Sequence, residues 1–411
     1  MTHKTGIIEL NHIRRSLQEL KKIAIVSAKR TPIGKINGQL SSLNSVDLGV
    51  IAAKSTMNSI NLDPKLVDQV IFGNVIQAGG GQNIARQIEL KSGIPDTSTA
   101  CTINQVCGSG MKAIRLGQQA ILTNDADIVL VGGTESMSNA PYLNSKVRQG
   151  RKFGAFTMED SIEKDGLNDF RTNAPMGITA ENVAEKFNIS RAAQDQFALS
   201  SHQKAAKAIK NNYFAAEMTP ITIRGKKTAT VISTDETVRP DTTIEQLAKL
   251  RTSFKENGTV TAGNAASLND GASALIMMTE DRAKELNLKP LAIIDNYAEA
   301  GCNPDIMGYA PRYAVEKLLK KEQKNISDYD LFELNEAFAS QSLAVVNDLH
   351  IPMEKLNITG GAVALGHPLG DSGARILITL INNLKRTNQK SGIATLCIGG
   401  GMGMAMSIHI N

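Results

Sequence analysis

The chain has 411 residues, 42% of them hydrophobic, which is enough for two or three domain-sized units around a substantial core. Its formal net charge is +5 and its basic residues are dispersed, which argues against nucleic-acid binding, and no apolar run reaches the ~20 residues of a membrane span. Four cysteines without CxxC spacing exclude a disulfide scaffold and point to a reducing cytoplasm.

In residues 1–21, Ile7, Leu10, Ile13, Leu17 and Leu20 recur at helical spacing beside Arg14, Arg15 and Lys21. That pattern fits a basic amphipathic helix or a transit peptide, and Glu9 and Glu19 argue against the latter. We therefore expect an N-terminal extension. From Lys22 the pattern is regular. Ile23 to Ser27 and Asp68 to Val75 are β-type runs, the second ending before Gly79, Gly80 and Gly81. Ala126 to Val131 is an apolar run entering Gly132 and Gly133, and Ile393 to Ile398 repeats the arrangement before Gly399, Gly400 and Gly401. Apolar strands alternating with helical patterns predict an α/β fold with parallel sheets covered on both faces.

The chain also repeats itself. QVIFGNVIQAGGGQNIA from Gln69 is similar to YDLFELNEAFASQSLA from Tyr329, and IVLVGGTESMS from Ile128 to ATLCIGGGMGM from Ala394. Phe332 lies 260 positions after Phe72, and His367 lies 260 after Cys107. Blocks in the same order imply two βα-rich halves, expected over 22–138 (completed by about 267–289) and 290–411. Between them, 139–266 turns polar and helical, with a helix start at Ser190, and reads as an inserted unit over one half.

Three turns carry reactive side chains. Cys107, in NQVCGSGMKA, precedes a predicted helix, where unpaired N–H groups and the helix dipole favour a thiolate. Gly108 and Gly110 clear side chains from beside it, leaving room for substrate. The plainer reading, a buried small hydrophobe, ignores this setting. His367, in GGAVALGHPLGDSGAR, occupies the repeat-equivalent turn, where its neutral imidazole can take a proton from Cys107. Cys397, in LCIGGGMGMA, could form a redox pair, bind metal or act as acid and base; no ligand cluster at metal spacing surrounds it, so no metal is expected. Asn335, in ELNEAFASQ, could orient a water toward an oxyanion, and Glu336 beside it could equally cap a helix.

NQVCGSGMKA, NEAFA, GHPLG and CIGGG, in that order, resemble the thiolase family, and the likeness runs from about Lys22 to the C-terminus. The resemblance implies the thiolase fold, a five-layered αβαβα core of two similar halves with an inserted loop domain, assembled as a homodimer or homotetramer. It implies that Cys107 accepts the acyl group, His367 activates it, and Cys397 exchanges the proton on the acetyl-CoA carbon. One oxyanion hole would use His367 and a water held by Asn335, the other the N–H groups of Cys107 and Gly399. Leu167, Met176, Arg239, Phe254, Ala262 and Phe338 match positions that line the coenzyme A site. Pro175, Gln246, Ala266 and Asp371 depart from the common pattern. The implied activity is acetyl-CoA C-acetyltransferase, acting on acetyl-CoA and acetoacetyl-CoA, or 3-ketoacyl-CoA thiolase acting on longer chains, with coenzyme A as substrate and no permanently bound cofactor. Cys397 in third place separates it from the Cys-His-His ketoacyl synthases, and the intact set of four argues against a non-catalytic CoA- or lipid-binding module.

Overall fold

The computed structural model describes residues 21–225 and 228–411, so the expected N-terminal extension lies, apart from Lys21, outside the described residues. Strand β1 (Ile23–Arg30) and the short β2 (Gly34–Lys35) lead into α1 (Ser45–Asn58). Asn44 starts that helix: its side chain accepts the Asp47 N–H while the Asp47 carboxylate accepts the Asn44 N–H. Then come β3 (Gln69–Gly73), α2 (Ile84–Lys91), β4 (Thr99–Ile103), α3 (Ser109–Thr123) and β5 (Val129–Ser136).

The polar stretch 139–266 builds β6 (Tyr142–Leu143) paired with β7 (Glu159–Asp160), α4 (Met176–Lys186), α5 (Arg191–Lys210), β8 (Ile221–Arg224) paired with β9 (Ala229–Ile232), and α6 (Ile244–Ala248). Ser190 caps α5 as its position suggests, its hydroxyl accepting the Ala193 N–H at 3.2 Å. The chain then runs through β10 (Asn269–Thr279), α7 (Glu280–Glu285), β11 (Ala292–Gly301), α8 (Ala310–Glu322), β12 (Leu331–Leu334), α9 (Ala339–Leu349), the one-turn α10 (Ala362–Leu365) and α11 (Leu369–Thr387). It closes with β13 (Ser391–Ile398) and β14 (Met402–His409).

The strands are ordered β12-β13-β14-β11-β1-β10-β5-β3-β4, with β2 beside β10. From the middle outward the two halves agree: β11-β14-β13-β12 on one side and β1-β10-β5-β3 on the other. In each, the outer pair (β12 with β13, β3 with β5) is parallel and the inner pairs are antiparallel. The expectation of parallel sheets is thus corrected. Uniformly apolar strands report that both faces are covered, which does not require parallel neighbours. The turn Gly399–Gly401 is too short for a crossover, and Gly400 (φ 89°) and Gly401 (φ 87°) take the left-handed backbone that reverses the chain there. Gly132 and Gly133, expected after a strand, lie inside β5. A Cβ on Gly132 would sit 2.0 Å from the Ser273 carbonyl, and one on Gly133 would sit 2.1 Å from that of Gly370, so their absence of side chain serves close packing.

Five layers result. Val46, Leu48 and Ala52 of α1 and Ile84 and Ile88 of α2 pack on Val70, Phe72, Leu130 and Ile276. Ile114 and Ile121 of α3, with Ile376 and Leu380 of α11, form the central layer between Ile71, Val131 and Leu275 of one half and Leu396 and Met404 of the other. Val315 and Leu318 of α8 and Val345 of α9 cover Phe332, Ile393 and Ala405. Each such buried aliphatic side chain contributes roughly 1.5–3 kcal/mol. Among the described residues no helix is long and apolar enough to cross a membrane.

Candidate active site

The central helices bring the repeat-equivalent turns together. A Cβ on Gly110 of α3 would lie 2.8 Å from the Ala374 nitrogen, and one on Gly373 of α11 would lie 2.5 Å from the Met111 nitrogen. Backbone therefore meets backbone where the two helices begin. The residues just ahead of them, Cys107 and His367, line one cavity of about 260 Å³. The glycines beside Cys107 admit protein rather than substrate, contrary to expectation: a Cβ on Gly108 would stand 2.6 Å from Ile398 Cδ1 and 2.8 Å from Met404 Cε.

Cys107 rides on a strained turn. Val106 has φ 47°, a left-handed conformation that a β-branched residue adopts at a cost of roughly 1–3 kcal/mol. Asn104 Oδ1 accepts the Val106 N–H at 3.0 Å. The Ser109 hydroxyl accepts the Gln105 N–H at 2.8 Å and donates to the Val106 carbonyl at 2.6 Å. The motif NQVCGS is thus a set of braces for the turn. Burial pushes the Cys107 thiol up to about 11; the N–H groups of Gly399 and of Cys107 itself pull it down, and Glu135 raises it. The expected thiolate preference is overturned, because desolvation outweighs the helix start. The resting Cys107 is a thiol with the Gly399 and Cys107 N–H groups turned to its sulfur.

His367 is likewise neutral. Burial foremost, then the Arg375 guanidinium, lowers its pKa to about 3. Its backbone N–H donates to Asn269 Oδ1 at 2.9 Å, and its Nδ1 lies 2.5 Å from Ser372 Oγ. The Ser372 hydroxyl gives its single proton to the Pro368 carbonyl at 2.8 Å, so it accepts from Nδ1–H. Nε2 is then left unprotonated, ready to take a proton. Asn335 follows β12, and its Nδ2 lies 3.5 Å from each nitrogen of the imidazole.

Cys397, at the end of β13, is fully buried and packs with Met176, Met307 and Ala337, all of which line the same cavity. Burial holds its thiol well above the ordinary value, and the nearby Cys107 raises it further. Gly399, two residues on, lines the cavity. So do Leu167, Met176, Phe254 and Phe338, together with the departures Pro175 and Ala266. Phe254 and Phe338 meet edge to face with centroids 6.3 Å apart, and only a glycine at 177 leaves room, since a Cβ there would lie 2.2 Å from the Phe254 ring.

A second cavity of about 510 Å³ shares Ala265, Ser267 and Leu268 with the first and holds Arg239, Ala262 and Gln246, with Lys35 adding a second cation. Arg239 donates its backbone N–H to His202 Nδ1 at 3.2 Å, and burial and this arginine lower His202 to about 4. Gln246 closes the first turn of α6, its Oε1 accepting the Thr243 N–H at 3.0 Å. Asp371 stands outside both cavities, fully buried, its carboxyl pushed up to about 7 by burial. Glu336 lines neither cavity; it is buried and its carboxylate accepts from Ser201 and Asn357 and from the Val363 N–H in the first turn of α10. Among the described residues no three His, Cys, Asp or Glu side chains cluster to hold a metal.

Two buried residues escaped the sequence reading. Glu135, on β5, accepts from Asn74 Nδ2 at 3.0 Å and the N–H groups of Val75 and Ile76, both at 3.1 Å. It also accepts the Gly370 N–H at 2.8 Å, clasping the histidine-bearing turn to the cysteine-bearing half. Arg375 is the other. A glutamate ending an apolar run, and an arginine eight residues beyond the histidine, were the only signals.

Residues 23–281 match the model of the thiolase N-terminal domain and 288–410 that of the thiolase C-terminal domain. A probable acetyl-CoA acyltransferase of Staphylococcus aureus (strain COL) is 49% identical over 387 residues, covering 94% of this chain and 98% of that one. The crystal structure of the Bacillus anthracis acetyl-CoA acetyltransferase is similar with TM-score 0.93 and 42% identity, over 95% of this chain and 98% of that one. Human mitochondrial 3-ketoacyl-CoA thiolase in complex with CoA is similar with TM-score 0.91 and 45% identity, over 95% and 98%.

Proposed function

Since this chain belongs to the thiolase family and is an acyltransferase acting on acyl-CoA, we propose that it is an acetyl-CoA C-acetyltransferase, interconverting two acetyl-CoA with acetoacetyl-CoA and CoA. The observation that carries this reading is the shared cavity: Cys107, His367 and Gly399 line it, Cys397 packs beneath its wall, and Asn335 touches the imidazole.

In the cleavage direction Cys107 Sγ bonds to the 3-keto carbon as its proton passes to His367 Nε2. The C2–C3 bond breaks and its electron pair passes into the departing acetyl-CoA thioester as an enolate. That carbon takes the Cys397 proton. Coenzyme A thiol then attacks the acetyl group on Cys107, gives up its proton to Cys397, and leaves with the acetyl group. The released Cys107 sulfur recovers its proton from His367. The acyl oxygen on Cys107 is placed toward the Gly399 and Cys107 N–H groups, and the enolate oxygen toward His367 and Asn335, so the two anionic states have separate donors. A buried, neutral thiol-imidazole pair suits this chemistry, because charge is created only as bonds change. Leu167, Met176, Phe254 and Phe338 would contact pantetheine in the inner cavity. Arg239 and Lys35 would meet phosphates in the outer one, and Ala262 would line it.

A second reading, 3-ketoacyl-CoA thiolase for longer chains, is favoured by the apolar wall of Met137, Leu167 and Leu369 in the inner cavity and by the likeness to the human mitochondrial 3-ketoacyl-CoA thiolase. Assaying CoA-dependent cleavage over 3-ketoacyl-CoA lengths from four carbons upward separates the readings: a rate greatest at four carbons supports the first, and a rise with length the second. Wild-type cleavage by Cys107→Ala would refute both. The family likeness extends the proposal to a homodimer or homotetramer, which light scattering would measure.

A further inference from the structure

The backbone of Asn335 is fixed by its N–H, which donates to the Thr395 carbonyl at 3.0 Å. Its side-chain amide could still present either end to His367, for the oxygen and the NH₂ occupy the same volume; a neutral Nε2 favours the NH₂, but once Nε2 has taken the Cys107 proton it no longer does, and the partner at the other end decides. That partner is Arg375 of α11, whose Nη2 lies 3.3 Å from Asn335 Oδ1. A guanidinium has five donors and no acceptor, so it can engage the oxygen and never the NH₂.

We infer that Arg375 is a positioning residue: its guanidinium holds the amide oxygen of Asn335, so that Nδ2 is turned toward His367 and the enolate oxygen formed there. This rests on the reading of Asn335 given above. The arginine's own circumstances argue for such a task. It is 1% exposed, and its Nε and Nη1 have no hydrogen-bond partner among the described protein groups. The nearest carboxylate, Glu333 Oε2, stands 3.9 Å from Nη1. A buried cation with one direct protein hydrogen bond is costly, and an apolar residue of similar volume would fill the space more cheaply. What an apolar residue cannot do is select the end of an amide. The guanidinium charge has a second effect, since it joins burial in keeping the imidazole neutral.

The steps separate the prediction from a general loss of structure. Acetyl transfer at Cys107 uses the Gly399 and Cys107 N–H groups, whereas carbon–carbon cleavage needs the enolate donors. The test uses Arg375→Met combined with Glu333→Gln, which removes the carboxyl that Arg375 would otherwise leave unpaired, beside Arg375→Lys and Asn335→Ala. Two rates are measured for each: acetoacetyl-CoA cleavage, and exchange of acetyl between acetyl-CoA and labelled CoA, which bypasses the enolate. Cleavage by the double variant is expected to fall about 10²-fold, as for loss of an oxyanion donor, with exchange retained. Adding Asn335→Ala to it should cost nothing more, and Arg375→Lys, which keeps a charged donor, should recover part of the loss. Equal losses in cleavage and exchange, or wild-type cleavage by the double variant while Asn335→Ala is impaired, would overturn the inference and leave the proposed function standing. Full cleavage by Asn335→Ala would instead remove the reading of Asn335 and this inference with it.

Discussion

Gly373→Ala tests the claim that a backbone contact between α3 and α11 sets the distance between Cys107 and His367. The added Cβ would lie 2.5 Å from the Met111 nitrogen and 2.9 Å from Met111 Cβ, where ordinary contact begins at 3.4 Å, so the helices must part by up to 0.9 Å (3.4 − 2.5). The nearest atom is helix backbone, which cannot swing aside as a side-chain end can. Replacing a helical glycine by alanine gains roughly 0.5–1 kcal/mol of helix stability, and overpacking costs roughly 1–3 kcal/mol, so the net destabilisation is about 0–2.5 kcal/mol. A displacement approaching 1 Å between reacting groups costs about 10²-fold in rate, or ~2.7 kcal/mol of barrier. Urea unfolding followed by fluorescence or circular dichroism gives the first quantity, and acetoacetyl-CoA cleavage at saturating substrate gives the second. The expected variant is folded, slightly less stable and about 10²-fold slower. A variant with wild-type kcat would show that the helix crossing does not govern the Cys107–His367 geometry.

Four further outcomes are expected. Cys107→Ala abolishes both acyl labelling and turnover, read by mass spectrometry of the protein incubated with acetyl-CoA. Cys397→Ala retains acyl labelling of Cys107 by acetyl-CoA but loses carbon–carbon chemistry; normal condensation of acetyl-CoA by this variant would remove Cys397 from its role. The Cys107 thiol is held up to about 11 by burial, so its alkylation by iodoacetamide, followed at its own peptide, rises about tenfold per pH unit through the range 7–9; a plateau near pH 8 would contradict this. Glu135→Gln puts an NH₂ against N–H groups that now donate to a carboxylate, which costs roughly 1–3 kcal/mol. Its urea midpoint should fall accordingly, and an unchanged midpoint would show that the clasp contributes little.

The reactive side chains were legible in the sequence because each stands in or beside a glycine-marked turn, and because a repeat puts Cys107 and His367 in register. The meaning of the glycines was less legible. Gly108, Gly110 and Gly133 all face other protein groups, and sequence spacing cannot say whether an empty position admits a ligand or a neighbouring helix. The Cys107 thiol went the other way from expectation because its helix start is local and visible, whereas its burial is made by residues almost three hundred positions away, among them Ile398 and Met404. Strand direction was hidden for a similar reason: apolar runs report coverage by helices and carry no arrow. Arg375 was out of reach because its partner Asn335 is brought to it only by the packing of α11 against β12.

The ladder between β13 and β14 pairs Cys397 with Gly403 and Ile398 with Met402, and Gly399 is the first residue beyond it. The Cys397 sulfur and the Gly399 N–H are therefore spaced by the pleat of one strand, in steps of a whole residue. Slippage by a single step would send the sulfur to the opposite side of the sheet. Such a site tolerates no graded loosening at this edge: it is either in frame or it is lost.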